Sequence, residues 1–148
     1  MRKKDELAID KIIECAKKEF FDKGFEGASM RAIAESAGYT TGMLYGRFAD
    51  KSELFREIVG GPAEKLYSFY VGVQNEFAGL EPGVQYTEMH GYVDGKVDGM
   101  LDIVYDYPDE FKLIVCKSKG SEYERFIDRL IEVETENTVR FIDELNAA

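Results

Sequence analysis

Nowhere does the chain hold an apolar run approaching the roughly 18 residues that a membrane span needs. Its N-terminus, Met-Arg-Lys-Lys-Asp-Glu, leads into no apolar signal core. A cytoplasmic location without a membrane partner is therefore expected. Cysteine occurs only as Cys15 and Cys116, far apart and without a closely spaced cysteine or histidine. That spacing does not suggest a zinc site and leaves two lone thiols. Histidine occurs once, as His90, and no glycine-rich phosphate loop is present. An enzyme would have little from which to assemble a site, and neither metal nor cofactor is expected. Tryptophan is missing, and three prolines among 148 residues leave long stretches free of helix breakers.

What remains is ample for a core: 45% hydrophobic residues, with ten Phe and nine Tyr. The net charge of −10 argues at first against a nucleic-acid partner. Its distribution removes the objection. Residues 1–60 hold 11 Lys+Arg and 11 Asp+Glu, whereas residues 61–148 hold 8 and 18. All the excess acid lies in the second part, so a basic face near the N-terminus is compatible with the total.

The apolar spacing is helical nearly throughout. Ile9, Ile12, Ile13, Ala16 and Phe20 form one stripe, and Gly24 is placed to end that helix in the left-handed conformation. Ser29 is suited to cap a short helix that buries Ile33, Ala34 and Ala37 and stops at Gly38. A third short helix runs from about Thr40 to Phe48. Asp50 with Glu53 forms a capping box for a fourth. Gly60-Gly61-Pro62 reads as a kink or break before the pattern resumes through Leu66, Phe69, Tyr70, Val73 and Phe77. Pro82-Gly83 reads as a loop. The next helix carries Tyr86, Met89, His90, Val93, Val97, Met100 and Val104 on one face, and Asp94, Asp98, Asp102 and Asp106 on the solvated side. After Pro108 come a short apolar helix, Phe111 to Cys116, and a long one from Tyr123 to about Leu145. About seven helices and no strand are expected.

The segment Ser29 to Lys51 carries the functional signal. Two short helices with a glycine-containing turn are the sequence form of a helix-turn-helix. A helix entering the major groove needs small or polar groups on its exposed face, which Thr40, Thr41 and Gly42 supply. Met43 offers an apolar contact, for instance to a thymine methyl. Leu44 and Phe48 suit the packed side, and Tyr45, Arg47 and Lys51 stand at spacings suited to phosphate oxygens. Arg2-Lys3-Lys4 is read as a solvated tail, with a minor-groove arm as the alternative.

In this ordered series the stretch from about Ile9 to Ile58 resembles the DNA-binding domain of the tetracycline-repressor (TetR) family. The resemblance is carried by Ala16, Phe20 and Gly24-Phe25, by Ser29-Met30-Arg31-Ala32-Ile33-Ala34 and Ala37-Gly38, by Gly42-Met43-Leu44-Tyr45, and by Phe48 and Lys51-Ser52-Glu53-Leu54. It implies an all-α chain: a three-helix DNA-binding domain over residues 1–50, joined to a helical ligand-binding and dimerisation domain over residues 51–148. It further implies a homodimeric repressor released from a palindromic operator by a small-molecule effector. Ser29, Arg31, Tyr45 and Lys51 would hold phosphates, and Thr40, Thr41, Gly42 and Met43 would face bases. Two departures stand out. Gly46-Arg47-Phe48 replaces the family's usual aromatic pair, and the family's chains commonly continue for two more helices that build the dimer interface.

An effector cavity in the second domain is expected to draw on Phe69, Tyr70, Phe77, Tyr86, His90, Val93 and Met100. His90 reads equally well as a ligand contact or as a histidine satisfied by a neighbouring helix. Gly60-Gly61-Pro62 is a natural joint between reader and body. The rival reading is a helical protein-interaction module that does not bind DNA.

Overall fold

The computed structural model describes residues 2–147, with nothing described of the Arg2 side chain. Seven helices and no strand occur among these residues: α1 (Arg2–Gly27), α2 (Met30–Ala37), α3 (Thr41–Arg47), α4 (Lys51–Ala78), α5 (Pro82–Asp106), α6 (Pro108–Lys117) and α7 (Phe126–Ala147). None is long and apolar enough to cross a membrane. In the N-terminal arm Lys3 and Lys4 are exposed on the first turn of α1, while the Arg2 side chain lies outside the described residues.

The chain divides into two compact units. One holds residues up to Gly61 together with Asp109–Glu124; the other holds Pro62–Pro108 and the residues from Arg125 onward. The first unit thus reaches past residue 50 into α4 and takes in α6. Its core is the stripe read from the sequence, with Ile12, Ala16 and Phe20 of α1 buried against Ile33, Leu44, Leu54 and Phe55. Gly24 has a positive φ (+70°) and a non-helical backbone, so the long helical stretch is interrupted there by a kink before a further short stretch to Gly27. Helix α6 buries Phe111, Leu113 and Ile114 in the same core. It is tied to α1 by the Lys17–Glu110 ion pair and by Lys112, whose ammonium lies 5.6 Å from the Phe21 ring centre.

In the second unit, Leu66, Tyr70 and Gln74 of α4 are buried together with Gln85 and Ile103 of α5 and Phe126 and Leu130 of α7. Three sequence expectations change here. Gly60-Gly61-Pro62 does not break the chain: α4 runs through Pro62 as one helix. A proline in a helix costs a hydrogen bond and crowds the preceding turn, yet the flanking apolar stripe holds the helix together. Pro82 is no loop residue but the first residue of α5, where its missing N–H is no loss. The face of α5 is also rotated. Tyr86, His90, Val93 and Val97 are exposed, and Gln85, Met89, Tyr92, Lys96 and Ile103 turn inward. Asp94, Asp98, Asp102 and Asp106 are all exposed. Gly99 lies so close to Phe69 that a Cβ there would come within 2.2 Å of the ring, so Phe69 packs on α5 at its one residue lacking a side chain in that turn.

Candidate nucleic-acid interface and ligand cavity

Both short helices are set by local chemistry. Ser29 caps α2, its Oγ accepting from the Ala32 amide at 3.3 Å, while its own amide donates to Glu19 Oε1 at 3.3 Å. Gly38, in the left-handed conformation, ends α2, and the amides of Gly38 and Tyr39 donate to Glu35 O and Ala34 O. Thr40 caps α3, accepting from the Met43 amide at 3.2 Å. Leu44 and Phe48 then bury one side of α3. Two contacts close the start of α4: the Glu53 amide donates to Asp50 Oδ1 at 2.8 Å, and the Ala49 amide donates to the Glu53 carboxylate.

That packing leaves Gly42, Met43, Tyr45, Gly46 and Arg47 of α3 exposed, with Thr40 exposed beside them and Thr41 half-buried. A Cβ at Gly42 or Gly46 would meet no atom within 4 Å. Neither glycine is therefore required by internal packing. Replacing Gly46 by alanine is expected to stabilise the chain by up to about 1 kcal/mol, because an exposed helical glycine costs that much relative to alanine. A lower urea midpoint for Gly46→Ala than for the parent would contradict this.

The cations are not equivalent. Arg31 is exposed and paired with Glu35 at 2.9 Å, a solvent-screened pair readily exchanged for a phosphate. Arg47 is exposed at the last residue of α3. Lys51 is different. Its ammonium donates to Glu26 O at 3.0 Å and Ala28 O at 3.2 Å, and lies 4.8 Å from the Phe25 ring centre. As placed, Lys51 ties the end of α1 to the start of α4.

In the second unit the end of α4, the first half of α5 and the second half of α7 surround a cavity of about 160 Å³. Phe77, Tyr92 and Phe141 form its aromatic wall, with ring centres 5.1 Å (Phe77–Tyr92) and 5.9 Å (Phe77–Phe141) apart. Of the residues expected from sequence, Phe77 and Val93 line it, whereas Phe69, Tyr70, Tyr86, His90 and Met100 do not. Sequence reading missed Gln74, Gln85, Lys96 and Glu134, which do. Polar residues at inward positions carry no periodic signal; their partners make them tolerable. Glu134 accepts from the Tyr70 hydroxyl, from Gln74 and from Lys96 at 2.9 Å. Partial burial works against the ionised Glu134, but the hydrogen bonds from Tyr70 and Lys96 outweigh it and hold the carboxyl below its ordinary range.

Burial, and then the hydrogen bond to Glu134, push the Tyr70 hydroxyl from 10.0 up to about 12. The folded state therefore holds this proton more tightly than the unfolded chain. The resulting stability is fully present below pH 10 and lost as pH rises toward 12. Chemical denaturation in that window is expected to show a shallower alkaline loss in Tyr70→Phe than in the parent. Equal slopes would refute the coupling.

Residues 12–58 match the model for bacterial regulatory proteins of the tetR family. The match covers about a third of the chain, all of it in the N-terminal helices. An uncharacterized HTH-type transcriptional regulator of Bacillus subtilis, YfiR, is 24% identical over 132 residues, which is 88% of this chain and 62% of the relative. The HTH-type transcriptional repressor KstR2 of Mycobacterium tuberculosis is 34% identical over 59 residues, 40% of this chain and 30% of that one. A crystal structure of a regulator assigned to the TetR family, from Mesorhizobium loti, shares 21% identity at a TM-score of 0.44, over 96% of this chain and 69% of that one. The chain spans about three-fifths of the length of the B. subtilis relative.

The family match begins at Ile12 and ends at Ile58. It takes in α2, α3 and the capped start of α4. Every residue singled out as a DNA contact lies inside it. The cavity residues lie outside it.

Proposed function

We propose that this chain is a DNA-binding transcriptional regulator, acting in the cytoplasm as a homodimeric repressor that a small molecule releases from a palindromic operator. Residues 1–50 would serve as the reader and residues 51–148 as the regulatory body. The carrying observation is the outer face of α3, where Gly42, Met43, Tyr45 and Arg47 are exposed beside a TetR-family match. Small residues near the start of a helix let the backbone approach base edges. Thr40, Thr41, Gly42 and Met43 are assigned to bases, and Ser29, Arg31, Tyr45 and Arg47 to phosphates. Lys51 acts chiefly by holding the reader's frame. The family relatives whose names specify a direction, such as KstR2, are repressors, which favours repression here.

Dimerisation is supported by apolar residues left uncovered in the second unit: Tyr86, Val97 and Leu101 on α5, and Ile131, Val139 and Ile142 on α7. Release would follow from a ligand that binds one body conformation better than the other, shifting operator affinity by that difference. The chain crosses between the two units after Gly61, after Pro108 and after Glu124. These connections are where such a shift would be carried.

The test is selection of bound duplexes from a random library, comparing the parent with Tyr45→Ala/Arg47→Ala. Lys51 is left intact because of its contacts with Glu26 and Ala28. Enrichment of one palindrome by the parent alone, with half-sites about one helical turn apart and affinity falling steeply with salt, is the expected result. No enrichment by a folded parent would overturn the proposal in favour of a protein-interaction module.

A further inference from the structure

The two glutamines of the cavity share a feature that specifies a ligand. Gln85 is 2% exposed and Gln74 is 7% exposed. The Gln85 amide donates through Nε2 to Leu80 O at 2.6 Å and Ala78 O at 3.5 Å. Gln74 donates through Nε2 to Glu134 and to the Tyr70 hydroxyl. Both amides are fixed in orientation, since a flip would set oxygen against oxygen. Each therefore keeps a carbonyl oxygen, Oε1, that receives no hydrogen bond among the described residues, and both side chains line the cavity. No sealed side-chain oxygen lacks a partner among the described residues, so both of these are open to solvent; lining the cavity, they are free acceptors for donors on whatever occupies the space.

Charge points the same way. Lys96 already donates to Glu134 at 2.9 Å and lies 5.1 Å from the Tyr70 ring centre. Arg140 and Glu144, opposite in sign, also line the site. A carboxylate entering here would meet two acceptor oxygens and the Glu134 charge, with Lys96 already paired and Arg140 exposed and donating to Asn137. The walls of Phe77, Tyr92 and Phe141 suit a flat apolar body. At about 160 Å³ the space is close to that of an engineered cavity that holds benzene, roughly 150 Å³.

We infer that this cavity takes a small uncharged aromatic molecule bearing O–H or N–H donors, and discriminates against a carboxylate. Its consequence for DNA rests on the reading of the cavity as an effector site; its binding chemistry does not. Resorcinol, toluene and benzoate serve as probes, titrated calorimetrically into the full chain. Resorcinol should bind at least fivefold more tightly than either of the others, a ratio corresponding to one or two net neutral hydrogen bonds. Gln85→Met should reduce resorcinol to the level of toluene without weakening toluene. Gln74→Met provides the same readout should the first variant fail to fold. Val93→Trp, at a half-covered cavity residue, should remove binding of both. Tightest binding by benzoate, equal binding of resorcinol and toluene, insensitivity to Val93→Trp, or no binding by the folded chain would each overturn the inference. Resorcinol binding that leaves a bound operator in place would uphold the ligand chemistry and overturn the effector role.

Discussion

Replacement of Gly42 by glutamate is expected to lower operator affinity by at least about a hundredfold while leaving the fold intact. The two halves of this expectation have separate physical causes. In the free protein a side chain at position 42 enters open space, since no atom lies within 4 Å of its Cβ. The substitution also removes a glycine from a helix and places an acid in its first turn, where the helix dipole favours negative charge. Stability should therefore hold or rise. Against DNA the same carboxylate would sit on the face assigned to the major groove, between Thr41 and Met43. It would displace a close backbone approach and face phosphate charge with no counterion. A loss of about 2.7 kcal/mol or more, equivalent to the hundredfold change, is modest for an uncompensated charge in such an interface. Fluorescence anisotropy with the selected palindrome measures affinity, and urea denaturation measures stability. A Val115→Glu control adds the same charge at an exposed position of α6; it should cost little. Binding by Gly42→Glu within threefold of the parent would remove α3 from the interface.

The reader was largely legible in the sequence because its determinants are local. Ser29, Gly38, Thr40 and the Asp50/Glu53 pair act within four residues of themselves, and each takes the capping or turn role that its residue type suggests. The body was less legible because its determinants are distant. On α5 the apolar residues fall on two faces. The inward face is decided by Lys96, whose partner Glu134 is 38 positions away, and by Gln85, held by the carbonyls that end α4. A periodicity argument assigns polar residues outward and so favoured Tyr86, His90, Val93 and Val97, which are exposed. Helix α6 offers a similar lesson. Nothing in Phe111 to Cys116 announces that the segment packs with α1 and not with its neighbours in sequence; the Lys17–Glu110 pair and the buried Phe111 and Leu113 decide it. Local breakers also misled: Pro62 lies within an unbroken α4, and Pro82 begins a helix. Lys51 was recognisable as a functional-looking cation, but its contacts with the carbonyls of Glu26 and Ala28 could be seen only in the fold.

The largest effect on stability is expected from Phe55→Ala, at about 3–5 kcal/mol. Phe55 is fully buried and meets three other rings: Phe20 edge-on at 4.9 Å, Phe25 at 5.3 Å and Tyr123 at 6.0 Å. These rings come from α1, from α4 and from the turn that follows α6, so a single truncation opens a void shared by those three segments. Edge-to-face pairs add to the area term, and a close-packed core recovers only part of the lost volume. Set against a typical total of 5–15 kcal/mol, the loss would bring a reader at the low end of that range close to unfolding at 37 °C. Phe55 is not on the exposed face of α3, which separates its effect from that of Gly42→Glu. Operator binding by Phe55→Ala should fall with the folded fraction and recover when sucrose or a lower temperature restores the fold. Binding by Gly42→Glu should stay weak under the same conditions. Should Phe55→Ala remain fully folded by circular dichroism and still fail to bind, the ring cluster would have to set the orientation of α3 directly, and the division between frame and reading face drawn here would be wrong.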